Sequence, residues 1–201
     1  MFSLGGNAKV TNCKFTNTST TADRDAVAMG VDSLLFNSEL ISYRGRAVNL
    51  SSVSSTVSGC YIHDSNKGTG SGFTTGRIDL SDNIIADNVN SALSMTAAYT
   101  NIVNLKNNTL YGAENKLGIG VSIATGLTDM RILNNIIYGF VTGVTHADTQ
   151  TVGYDDYNDY NNNTNDVSAA GQWQKGANDS TAAPTFTSVT QLTGINATSS
   201  T

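Results

Sequence analysis

The chain has 201 residues, enough for one domain with a sizeable core, yet only 13% of them are charged. One Pro, 19 Gly and a surplus of Asn, Ser and Thr suit an extracellular or virion β-solenoid and not a helical enzyme. A net charge of -5 argues against a nucleic-acid partner, and no apolar run approaches the roughly 18 residues of a membrane helix.

Met1 to Val10 carry no basic-then-apolar export pattern. A six-residue frame then begins at Val10-Thr11-Asn12-Cys13-Lys14-Phe15 and returns at Leu35 to Leu40, Val57 to Ile62, Leu80 to Ile85, Leu105 to Leu110 and Ile132 to Ile137. Its third positions are 12, 37, 59, 82, 107 and 134, so the steps are 25, 22, 23, 25 and 27 residues. A frame at that period means stacked coils. Each repeat parses into three short strands. The first alternates inward apolar with outward small residues, as in Ala26-Val27-Ala28-Met29, Ala47-Val48-Asn49-Leu50, Ala92-Leu93-Ser94-Met95, Gly118-Ile119-Gly120-Val121 and Gly143-Val144-Thr145-His146. The second leads into the frame and the third leaves it. No stretch holds a helical apolar period long enough for a helix.

The third position is Asn, Asp or Gly in every frame, the residue types that tolerate a left-handed bend. The fourth position, Cys13, Ser38, Cys60, Asn83, Asn108, Asn135, is expected to point inward. Stacking then places Asn83, Asn108 and Asn135 in one amide ladder, weaker in the first three repeats where Cys and Ser stand instead. Cys13 and Cys60 lie two repeats apart, roughly 9–10 Å at one strand spacing per coil. A disulfide needs Cα atoms within about 7 Å, so two free, buried thiols are predicted. Asn17 to Asp25 and Ser65 to Ser71 read as variable loops. Val152 to Tyr157 looks like a seventh, aromatic version of the bend. The regular helix is set at residues 1–160, and 161–201 read as a C-terminal cap or extension, loose from about Ala197.

The run of frames, clearest at Asn134-Asn135-Ile136-Ile137, resembles the right-handed parallel β-helix superfamily, often called pectate-lyase-like, over about Val10 to Tyr160. Asp156 to Tyr160, followed by Pro184 and Phe186, also looks like the closing segment of bacterial and phage β-helix proteins. The resemblance implies an all-β fold, a right-handed single-stranded parallel β-helix of about six to seven coils with an irregular C-terminal segment. It leaves activity open, because the superfamily holds lyases, hydrolases, epimerases, phage tailspikes and non-catalytic adhesins.

Enzymes of that superfamily usually build their site on the outer face of the first strand, from clustered carboxylates with Arg or Lys. Here the outward residues are read as Ala28, Asn49, Thr75, Ser94, Ser122 and Thr145, with Gly120 beside them, a neutral strip. Glycoside hydrolysis wants two carboxyls about 5–9.5 Å apart, and the strip offers none. At its edge Asp23, Arg24 and Asp25 precede one first strand, and Arg44 and Arg46 the next; stacking could bring Asp25 near Arg46. Asp25, Arg44, Arg46 and Asn49 are therefore the candidate substrate-binding residues, weighed against a plain surface ion pair. His63 with Asp64 and Asp87 is a further group, read as a solvated edge against a metal or proton-transfer site. His146 is expected inward. Asp155, Asp156, Asp159 and Asp166 lack a calcium-loop pattern. Tyr111, Tyr138, Tyr154, Tyr157 and Tyr160 are set as an exposed stripe or as packing under the C-terminal segment.

The expectation is a structural or glycan-binding segment of an extracellular or virion fibre, without catalysis, metal or cofactor. Its partner would be a polysaccharide or cell-surface glycan, with no nucleic acid and no membrane. A homotrimer, or a neighbouring domain, would cover its open first coil. The alternatives are a polysaccharide lyase, hydrolase or epimerase acting on an acidic glycan, and a secreted adhesin.

Overall fold

The computed structural model describes residues 1–19, 24–42, 44–50, 54–65, 67–71, 76–95, 101–112, 118–123, 129–147, 152–169 and 173–186. The chain winds through three parallel sheets of eight, eight and seven strands, with each strand paired to its counterpart in the coils before and after. Seven successive strand triplets and a final pair make up the winding. The first sheet begins with Phe2–Ser3 and Val27–Ala28 and ends with Asn165–Ala169. The second runs from Lys9–Thr11 to Trp173–Lys175, and the third from Lys14–Asn17 to Asp159–Asn161. No helix occurs among the described residues.

The register explains why the frame repeats. Its first position forms one inward column, Val10, Leu35, Val57, Leu80, Leu105, Ile132, and its sixth forms another, Phe15, Leu40, Ile62, Ile85, Leu110, Ile137. Every member from Leu35 and Leu40 onward is essentially inaccessible to solvent. Burial of a Leu or Ile side chain is worth roughly 1.5–3 kcal/mol, so these columns carry the fold. A parallel sheet usually needs covering helices; here three sheets cover one another.

Between these columns the chain turns. Asn12, Asn37, Gly59, Asp82, Asn107 and Asn134 all take positive φ, between 48° and 65°, as the frame predicts. The next residue then points inward. Asn83 donates to Val57 O and Asn108 Oδ1, Asn108 to Leu80 O and Asn135 Oδ1, and Asn135 to Leu105 O, at 2.9–3.0 Å. Each Oδ1 also accepts a backbone N–H from the preceding coil, as Asn108 Oδ1 does from Asn83 N at 3.0 Å. The ladder reaches further than Asn135. Asn135 donates to Asn158 Oδ1, and Asn158 to Asp179 Oδ1 at 3.3 Å. Asp179 accepts without donating onward, so it ends the column.

The structure departs from these expectations at several points. Lys67–Ser71, read as a loop, is the first strand of its coil and pairs with Arg46–Asn49 and Ser91–Met95. Gly70, not Thr75, therefore stands between Asn49 and Ser94 in the outward column, and Thr75 lies outside the described residues. Glycines at 68 and 70 hide the apolar alternation there. Cys13 is free but exposed, because the first coil has a neighbour on one side only; Cys60 is free and buried, and burial pushes its thiol up to about 11. The seventh frame starts at Asp155, not Val152. Asp155 follows Ile132 in the inward column, Tyr157 takes the bend with φ 59°, and Asn158 takes the ladder position. The winding also continues past residue 160, since Asn165–Ala169 and Trp173–Lys175 extend the first and second sheets. Asp23 and residues 187–201 lie outside the described residues.

Candidate functional site

The outer column of the first sheet runs Ala28, Asn49, Gly70, Ser94, Ser122, Thr145, Ser168, all small or neutral. At its N-terminal edge Asp25, Arg46 and Asn49 come together as the stacking suggests. Arg46 Nε donates to Asp25 Oδ1 at 3.0 Å and its Nη2 to Oδ2 at 2.9 Å. The Arg46 backbone N–H gives a third bond at 3.0 Å, and Asn49 Nδ2 a fourth at 2.7 Å. Planar guanidinium against carboxylate is the pairing that fits both forks at once.

Local backbone makes the pairing possible. Gly45 lies so close to the Arg24 carbonyl that a Cβ there would clash with it. That same carbonyl accepts from Asn17 Nδ2 at 2.5 Å and Ser42 Oγ at 2.7 Å, which fixes the segment that carries Asp25 into the strand Val27–Ala28. Arg44 is exposed and is not among the residues bonded to Asp25.

A second polar group lies on the outer face of the third sheet, across three coils. Lys14 Nζ meets Glu39 Oε1 at 2.8 Å, and His63 Nε2 meets the same oxygen at 3.1 Å. His63 Nδ1 meets Asp64 Oδ2 at 2.8 Å. The His63 ring stacks on Tyr61 with centroids 3.9 Å apart. The bond from Lys14 holds the Glu39 carboxyl below the usual range, whereas burial, then the Asp64 charge, pushes Asp87 upward. The expected solvated edge is thus a connected chain. Glu39 carries no local signal in the sequence, because its partners are 25 and 24 residues away, a link that only the coil spacing reveals.

The tyrosines do not form one stripe. Tyr111 and Tyr138 stack at 5.5 Å on the third sheet, and Phe186 packs edge-on against both at 5.5 and 5.2 Å. The C-terminal segment therefore covers these two. Tyr160 is buried and donates to Asp155 Oδ2 at 2.9 Å, while Tyr154 and Tyr157 are exposed. His146 is buried, as expected, with its ring 5.5 Å from that of Trp173.

Three parallel sheets stacked coil on coil around an inward amide ladder define a parallel β-solenoid. Residues 2–171 match the family described as the right handed beta helix region, and the chain belongs to that family. No curated protein and no solved structure matches it.

Proposed function

We propose that the chain is a structural β-helix segment of an extracellular or virion protein, such as a phage tail or fibre, that binds glycan on its outer faces without catalysis. One observation carries this reading. The buried carboxylate beside the first-sheet face, Asp25, accepts four donors and has no lone pair in position to move a proton for a substrate. The neighbouring column carries the hydroxyls of Ser94, Ser122, Thr145 and Ser168 on successive coils, about 4.8 Å apart, suited to hydrogen-bonding and not to chemistry.

The test is incubation with uronate and neutral polysaccharides, following both retention and reducing-end release. Retention without release is expected. Release of reducing ends would hand the function to the enzyme reading. That second reading, hydrolysis or elimination on an acidic glycan, draws on Glu39, His63, Asp64 and Asp87. Glu39→Gln and Asp87→Asn would then abolish release.

A further inference from the structure

We propose that the bend between the second and third sheets, at its C-terminal end, is a second glycan site, one that takes an uncharged, hydroxyl-rich sugar. This inference rests on the chain being a glycan binder but concerns a different surface from the Asp25–Arg46 face.

The starting point is Tyr157. Six coils place Asn, Asp or Gly at the left-handed bend; the seventh places Tyr there, at φ 59°. A bulky side chain in that region is strained, and strain that the fold retains points toward function. Burial does not compensate it, because Tyr157 is 61% exposed. Its ring projects from a column of oriented amides. Asn134 Nδ2 donates to Asn107 Oδ1 at 2.9 Å, and Asn107 Nδ2 to Asp82 Oδ1 at 3.2 Å.

Two clefts adjoin this column, of about 380 and 210 Å³, and both are lined by Asn134, Tyr157 and Asp159. The larger lies within the range of roughly 300–1,000 Å³ typical of small-molecule sites. Asn178 and Ser180 of the C-terminal segment form its far wall. Asp159 supplies the most specific signal. Its Oδ1 is buried and has no hydrogen-bond partner, and burial raises its pKa. Asp159 lines both clefts, so a small shift of its side chain would bring this orphan acceptor to a ligand hydroxyl.

An aromatic face beside amides and one acceptor is what a pyranose ring needs. Its C–H face lies on the ring, and its hydroxyls bond to Asn134 and Asp159. The Asp159 carboxyl, with Asp82 along the column, disfavours a uronate here.

Calorimetry of the full chain with cellohexaose, mannohexaose, chitohexaose and hexagalacturonate tests the site. At least one neutral hexasaccharide should bind, more tightly than hexagalacturonate. Tyr157→Asn restores the residue type of the other bends; it should raise the melting temperature and weaken that binding at least tenfold. Tyr157→Phe should keep it, and Asp159→Asn, a second and independent variant, should weaken it severalfold. Arg77→Ala, an exposed residue that lines neither cleft, should leave it unchanged. The proposal falls if no neutral hexasaccharide binds, if Tyr157→Asn binds like the wild type, or if hexagalacturonate is preferred. Binding lost in Arg46→Ala but kept in Tyr157→Asn would also sink it, while leaving the first-sheet reading intact.

Discussion

Asn135 shows how one side chain serves three coils. It donates to Leu105 O, Leu133 O and Asn158 Oδ1, each at 3.0 Å, and its Oδ1 accepts from Asn108 N and Nδ2. It is 1% exposed, so water cannot replace these partners. Asn135→Leu leaves several buried groups unpaired, at about 1–3 kcal/mol each, and should cost at least ~3 kcal/mol in urea denaturation. Leu133→Ser, on the outward side of the same bend, should stay within about 1 kcal/mol. Asp155 is the opposite case, an acid in an aliphatic column, completely buried. Burial pushes its carboxyl above the ordinary 3.8, and the Tyr160 hydroxyl only partly opposes the shift. A raised folded value means that its stabilising contribution is full below about pH 3.8 and is lost as the pH rises through the folded value. Asp155→Asn should therefore gain melting temperature relative to the wild type as pH climbs from 4 to 7, a difference read by thermal scans across that range.

At the scale of elements, the last strands close the coil by packing and not by repeat. Trp173 pairs in register with Gly153, and a Cβ at Gly153 would fall inside the indole ring. Gly153→Ala should unseat Trp173 and shift the emission of this single tryptophan to the red in native buffer, with a stability loss of about 1–3 kcal/mol. The same closing segment carries Asp179, which accepts from Asn158 N at 2.9 Å, and Gly176, whose N–H bonds to Asp155 O at 2.6 Å. These elements were hard to read in the sequence. Position 1 of the seventh frame is Asp instead of an aliphatic, and its sixth position is Tyr, so the apolar marks that locate the frame are missing. Lys67–Ser71 was hidden for a similar reason, since a strand that alternates Gly with Lys and Thr carries no apolar period.

For the whole molecule, stability follows nearest-neighbour contacts along the stack. The first coil has one neighbour and half-exposed Val10 and Phe15, while Ser38 and Cys60 replace amides in the next two. From Asn83 to Asn158 the ladder is continuous. Hydrogen exchange should therefore be fastest in Lys9–Thr11 and Lys14–Asn17 and slowest in Ile84–Ala86, Thr109–Tyr111 and Ile136–Tyr138. Uniform protection from end to end would contradict a graded stack.

The sequence by itself determined the coil. A left-handed bend admits few residue types, and an inward column admits few polar ones, so both leave a period that can be read residue by residue, as Asn134, Asn135 and Ile137 do. Only the tertiary structure decided the sites. Glu39 meets Lys14 and His63, and Asp25 meets Arg46, across coil spacings that vary from 21 to 25 residues. Loop lengths set those spacings, and side-chain contacts between coils leave no local pattern. The strained Tyr157 was visible as a tyrosine, but its place at the bend became clear only when Asp155 was found stacked on Ile132.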